Sequence, residues 1–410
     1  ILLCPGAPKV GNQRNIVDYL DFDRPRTKEA PFTIIHTFIA MSSGASIGPE
    51  TALATIGAEI GSLISTLLRF NAREKVLMVL TGISASLGLL TASPILGVLM
   101  VIELSLLARP SDIRLDALVE QKIPDTNNRN IKTIISTQGQ AEQHDLMNQT
   151  CLLSLGCITS FFVCRIASQQ ILPQIAFPDF GSFMQEVFEV KHLFYAIPLG
   201  VICGLCGILY LIMQGVFRAA FLHTEAMFHD CSIPNWVHSV FMLTLAGLLN
   251  GIIAVSFPLT LGSGIDMLLQ LLSLGLNNVD AALKAGVENG DNENLPPFYL
   301  LISAFMNMLA TAICLGFGMM GGVFLPLIFS GLLIGLALPN YLPFIPTIIA
   351  VPCCVCGIVT SFVPTPFSFL LTLMIFADIP GDVGAAMLIT TIVAHTVNGG
   401  FGFVSRLAAQ

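Results

Sequence analysis

The chain has 410 residues, of which 54% are hydrophobic and 11% charged, against roughly 25% charged in soluble domains. A mean hydropathy of +0.80, spread along most of the sequence, excludes a soluble enzyme and a globular body on a single anchor. It leaves an all-α, multi-pass integral membrane protein whose first partner is the lipid bilayer. A formal net charge of −8 without long like-charge runs excludes nucleic acid.

The first thirty residues are mixed and polar, with a turn signal at Pro5-Gly6 and a charged stretch from Asp21 to Glu29, so no spanning helix is expected there. The sequence opens on Ile1 and lacks the basic start, short apolar core and cleavage site of a signal peptide, so its natural beginning is expected upstream. Apolar segments follow at about 31–68, 76–107, 151–172, 192–217, 236–276, 298–338, 343–376 and 385–397. Several exceed the ~20 residues of one span, yet Gly and Pro interrupt them, which predicts tilted or broken helix pairs. Broken backbone at membrane depth survives only where protein or a watery cavity satisfies its N–H and C=O groups, so the breaks are the places for a site.

The polar insert 108–150 carries Arg109, Arg114, Lys122, Arg129 and Lys132, which points it to the cytoplasm. Arg69, Arg73 and Lys75 form a smaller basic cluster, and 277–297 reads as a connecting loop. Most of the eleven cysteines stand inside apolar runs, where Cys acts as a small buried hydrophobe. Cys203 and Cys206 make a C-x-x-C and Cys353 to Cys356 a C-C-x-C, but neither has a partner pair at zinc spacing, so no metal and no cofactor are expected. His36 and His395 fall in apolar stretches, where an interhelical hydrogen bond is the simpler reading than pore lining.

The same devices occur twice in the same order. Gly6 to Pro8, Gly44 to Pro49, and Gly82 to Gly88 leading to Pro94 are followed by Gly262 to Asp266, Gly318 to Pro326, and Gly357 to Ser361 leading to Pro366. Two related halves are expected, 1–172 and 173–410. A Gly-rich break followed at once by an apolar helix directs free N–H groups and the positive end of a helix dipole into the break. Such a terminus holds an anion without a charged side chain, whose tighter grip would slow release. Gly44, Ser46, Gly48 and Pro49, and Gly322, Val323, Phe324 and Pro326, have this form. Packing of small residues is the bland alternative for either motif alone.

These strings resemble the CLC family of chloride channels and proton-coupled chloride exchangers. Leu309 to Pro326 resembles the family's second-half filter, Gly44 to Pro49 its first filter, Ala92 to Glu103 its N-A-P helix ending in acidic residues, and Pro258 to Asp266 the turn opening its second half. The resemblance covers nearly the whole chain. It implies two inverted-topology halves with broken and re-entrant helices, chloride or another small anion as cargo, and a homodimer with a pore in each subunit. It also implies two helices upstream of Ile1.

Departures from the family pattern bear on mechanism. The family's filter glutamate, a gate that competes with chloride, falls on Ile47; its first serine falls on Pro5; its chloride-contacting tyrosine falls on Val404, or on Phe403 if the alignment slips; its inner proton-transfer glutamate falls on Leu104, beside Glu103. What the resemblance keeps is backbone, the N–H groups of Val323 and Phe324 and those near Ile47 and Gly48. Proton exchange needs an ionisable group that meets both pore and proton path, so a passive anion pathway is expected. Glu50, in the first turn of a helix, is the rival as a displaced gate or proton site, its bland reading being a helix-start charge bonded to backbone. Glu103 borders the basic insert, which suits an interfacial or structural role. A proton-coupled exchanger using Glu50 and a non-conducting membrane subunit are the alternatives. An enzyme is not expected, since no nucleophile and base stand at a recognisable spacing.

Overall fold

The computed structural model describes residues 30–90, 94–107, 154–159, 162, 188–230, 234–262, 264, 296–363, 365–377 and 379–400. Among them the chain is helical, with no strand element. Helices α1 (Ala30–Ser42), α2 (Glu50–Leu67), α3 (Ala72–Leu90) and α4 (Pro94–Leu107) come first. Then follow α5 (His192–Asp230), α6 (Asn235–Ser256), a 3-10 turn at Pro258–Thr260, α7 (Pro297–Gly316), α8 (Phe324–Tyr341), α9 (Thr347–Phe362), α10 (Pro366–Phe376) and α11 (Gly381–Gly400).

The over-long apolar segments do break at their glycines and prolines: 31–68 into α1 and α2, 298–338 into α7 and α8, and 343–376 into α9 and α10. Helices α5, α6, α7 and α8 are each long and apolar enough to cross a membrane. Helix α5 outruns its apolar segment, which ends at Phe217, by thirteen residues. The extension is tied down laterally. The His238 ring of α6 lies 4.9 Å from Phe221 and 5.2 Å from Phe228, and its Nε2 is 3.0 Å from Thr224 Oγ1.

The chain separates into two compact units, one holding 28–53 with 174–410, the other 54–173, so that α2 begins in the first and continues in the second. In the first unit α5 packs on α7, α9 and α11, and α8 on α7 and α9. Close approach rests on glycine: Gly331 and Gly335 of α8 lie against the backbone at Val355 and Val351, and Gly200 and Gly204 of α5 against Val393 and Val397, with no room for a Cβ. This small-xxx-small spacing lets backbones touch where lipid offers no hydrophobic drive for association. Buried Cys203, Cys353, Cys354 and Cys356 fill the α5–α9 region as apolar packing groups. In the second unit Gly57 and Gly61 of α2 meet the backbone of α3 at Gly82 and Met78, and Ser84 hydrogen-bonds Cys157 at 2.7 Å.

Candidate functional site

Two helix breaks of the first unit have the same construction. At the end of α1 the N–H of Gly44 donates to Met41 O (3.0 Å) and that of Ala45 to Ala40 O (3.1 Å). At the end of α7 the N–H of Gly318 donates to Leu315 O (3.1 Å) and that of Met319 to Cys314 O (2.9 Å). Both are Schellman caps, which need a left-handed residue after the helix. Gly44 (φ +83°) and Gly318 (φ +95°) supply it at no Cβ cost.

Four residues beyond each cap stands another glycine, and these two pair. Gly48 N–H donates to Gly322 O at 2.9 Å and Gly322 N–H to Gly48 O at 2.7 Å, an isolated antiparallel bridge. Two residues further on, each chain starts a helix, α2 at Glu50 and α8 at Phe324. The first intrahelical bonds are Leu53 N–H to Pro49 O (3.0 Å) and Leu327 N–H to Val323 O (3.1 Å). The preceding N–H groups therefore lie outside both ladders, at the positive ends of two helix dipoles.

The Glu50 carboxyl is folded back into this junction. It is 1% exposed. Its Oε1 accepts the N–H of Leu325, in the first turn of α8, at 3.1 Å, and the carboxyl also meets its own backbone N–H. Oε2 has no hydrogen-bond partner among the described residues. A Cβ on Gly48 or on Gly322 would overlap this carboxyl, so the two glycines form the surface it rests on. Beside it Thr51 Oγ1 donates to Gly321 O at 2.9 Å. The first turn of α2 is thus bonded to the second break on either side of the glycine pair.

A buried polar chain lies behind the junction. Ser46 Oγ donates to Asn307 Oδ1 (3.1 Å) and is 2.9 Å from Thr311 Oγ1. Asn307 Nδ2 donates to Pro326 O (2.8 Å) and Ser330 Oγ (2.9 Å), and Ser330 Oγ donates to Pro326 O (2.9 Å). Gly44 O accepts from Asn250 Nδ2 (3.0 Å) and from Gly262 N–H (3.1 Å). His36 makes an interhelical bond, its Nδ1 accepting from Met320 N–H at 3.4 Å, while His395 is exposed on α11.

Of the residues singled out in the sequence, Gly44, Ser46, Gly48, Pro49, Glu50, Gly322, Val323, Phe324 and Pro326 come together here. Ile47 is adjacent, but its side chain is fully buried in an apolar cluster with Phe221, Phe317 and Met319 and lies against Gly321. Glu103 is half-buried on α4, in the other compact unit. Pro5, Phe403 and Val404 lie outside the described residues. Asn307, Thr311 and Ser330 were not anticipated. Their signal is the spacing Ser303-Asn307-Thr311, a fully buried polar stripe four residues apart on one helix face.

Two helix–break–helix pairs of one construction, joined antiparallel at their glycines, make this a polytopic membrane protein of the inverted-repeat channel and transporter kind. The sequence matches the voltage gated chloride channel family over residues 6–119 and 146–399, and the chain belongs to that family. Its members are channels and transporters for chloride and other anions, not enzymes. The crystal structure of a slow cyanobacterial Cl−/H+ antiporter is similar at a TM-score of 0.64 and 17% identity, covering 97% of this chain and 81% of that one. A CLC-type fluoride/proton antiporter is similar at 0.62 and 14%, covering 94% of this chain and 79% of that one. At these identities the likeness is one of fold. No curated protein gives a significant sequence match.

Proposed function

We propose that the chain conducts chloride or another small anion passively through the junction of the α2 and α8 helix starts, with the Glu50 carboxyl as the occupant an anion displaces. One observation carries this reading: a side-chain carboxyl lies on Gly48 and Gly322 and accepts the N–H of Leu325, where backbone donors and two helix dipoles favour negative charge. The groups that hold the carboxyl are backbone N–H donors, whose grip on an inorganic anion is weaker than that of a fixed cation, as conduction requires. Uncoupled movement is supported by Ile47, whose apolar side chain cannot carry a proton. The expected assembly is a homodimer with one pathway per subunit, a reading that rests on the family resemblance.

The second reading is proton-coupled exchange through Glu50, favoured by the partnerless Oε2 of a buried carboxyl. The test is chloride efflux from liposomes carrying the full-length protein, with valinomycin setting the potential and a pH electrode outside. Chloride flux without proton movement supports passive conduction. Stoichiometric proton movement that disappears in Glu50→Gln supports exchange, and no flux of any anion removes both.

A further inference from the structure

We infer that Asn307 is a positioning residue for anion specificity, a tie that, behind the Gly48–Gly322 bridge, holds the Ser46 break against the start of α8 and so tunes the size of anion the two helix starts accept. The inference rests on the proposed anion pathway and deepens it.

Asn307 is fully buried on α7 and reaches both breaks with one amide. Pro326 O can only accept, so the amide nitrogen must face it, at 2.8 Å, which leaves Oδ1 to accept from Ser46 at 3.1 Å. Ser46 belongs to the break before α2, and Pro326 and Ser330 to the first turns of α8. Plain hydrogen-bond satisfaction does not require Asn307 at this place. Without it Ser46 Oγ still has Thr311 Oγ1 at 2.9 Å, and Pro326 O still has Ser330 Oγ at 2.9 Å. What only Asn307 does is join the Ser46 end directly to the Pro326 end.

The donors that would meet an anion are the unladdered N–H groups of the two first turns, so their separation sets which anion fits. A backbone-lined site that selects by fit needs its dipoles held at one size, and a supporting shell left loose costs a site its geometry. With this tie cut, Ser46 and Pro326 are free to shift about the Gly48–Gly322 bridge, and discrimination between small and large halides falls.

The experiment compares wild type, Asn307→Leu, Asn307→Asp, Ser46→Ala, Ser330→Ala and the Ser46→Ala/Ser330→Ala pair. Asn307→Asp is nearly isosteric and puts an oxygen opposite Pro326 O. Asn398→Leu is the control: Asn398 is a buried amide on α11 whose side-chain nitrogen bonds Ser361 O. Two readouts are taken, equilibrium binding of chloride, bromide and iodide to the purified full-length protein, and flux of the same ions from liposomes.

The expected result is a several-fold convergence of the chloride-to-iodide ratio in both Asn307 variants, with the ratio unchanged in Asn398→Leu even where its thermal stability falls. Folded Asn307 variants that lose stability but keep the wild-type ratio overturn the inference. Should the Asn307 variants not fold, the Ser46 and Ser330 cycle decides: non-additive shifts of the ratio support the tie, and additive or absent shifts overturn it. Selective binding by a wild type that carries no flux removes the proposed conduction yet leaves the ratio readable. Neither binding nor flux overturns both.

Discussion

Gly48 and Gly322 hold one another, each donating its N–H to the other's carbonyl oxygen, at 2.9 and 2.7 Å. Inside a membrane lipid cannot satisfy the backbone of a broken helix, so its freed groups need protein or a watery cavity as partner. Here each break supplies the partner of the other. Thr51 to Gly321 O and Leu325 N–H to Glu50 extend the exchange to both sides. The two breaks are therefore one folding unit, and damage to either is felt at both.

Gly322→Ala tests that unit directly. The added Cβ overlaps the Glu50 carboxyl, and the carboxyl has Gly48 beneath it on the other side. Overpacking of this kind costs about 1–3 kcal/mol. The variant is expected to unfold at lower temperature in detergent and to lose anion flux, while Gly322→Ala/Glu50→Ala recovers stability. A Gly322→Ala protein with wild-type stability and flux would show that the carboxyl does not rest there.

The breaks themselves were legible in the sequence, because glycine and proline inside over-long apolar runs are local signals. So was the start of α2 at Glu50. The Gly48–Gly322 pairing was not, since nothing in either string specifies the other as partner. Ile47 took the position of the family's filter glutamate, yet alignment could not say that its side chain turns into the apolar cluster while Glu50 turns back to Leu325. Asn307 was missed because a lone amide in an apolar helix belongs to no motif; only its four-residue spacing from Ser303 and Thr311 marked it. The length of α5 escaped because the wholly apolar run ends at Phe217; Arg218 to Asp230 mixes polar and apolar residues, and Phe221 and Phe228 within it pack on His238.

Glu50→Gln keeps an acceptor oxygen for the Leu325 N–H but removes the charge that competes with an incoming anion. Flux is expected to rise several-fold and to become insensitive to pH. In wild type the sign follows from the same competition: protonation neutralises the tethered carboxylate, so flux increases on acidification and falls as pH rises. Liposome flux recorded across the acid and neutral range in both proteins checks this. Equal pH dependence in the two would exclude Glu50 as the titrating group.

Restoring a carboxylate at the neighbouring position is expected to fail. Ile47 is fully buried with Phe317 and Met319 and lies against Gly321. Ile47→Glu places an unpaired charge in that cluster close to Glu50, where desolvation opposes it. Low expression and loss of the folded protein are the expected outcome, whereas Ile47→Val costs only about 0.5–1.5 kcal/mol and leaves flux near wild type. A stable, proton-coupled Ile47→Glu protein would instead place this side chain in the pathway.

The two Schellman caps give matched predictions. Gly44 and Gly318 hold φ of +83° and +95°, where an L-residue with a Cβ pays roughly 1–2 kcal/mol. Asparagine visits this region more readily than alanine, and a β-branched side chain least of all. At Gly318 thermal stability should therefore fall in the order Gly, Asn, Ala, Val. At Gly44 the same order holds, since the one close neighbour of a Cβ there, Leu261 Cδ1 at 3.0 Å, is the end of an exposed side chain that can move aside. Each cap sets the direction in which its break leaves the helix, and the breaks meet at Gly48 and Gly322, so the stability losses at Gly44 and Gly318 should be non-additive in the double variant. Simple additivity, measured by thermal unfolding of the single and double alanine variants, would mean that the two caps act apart and that the glycine bridge transmits nothing between them.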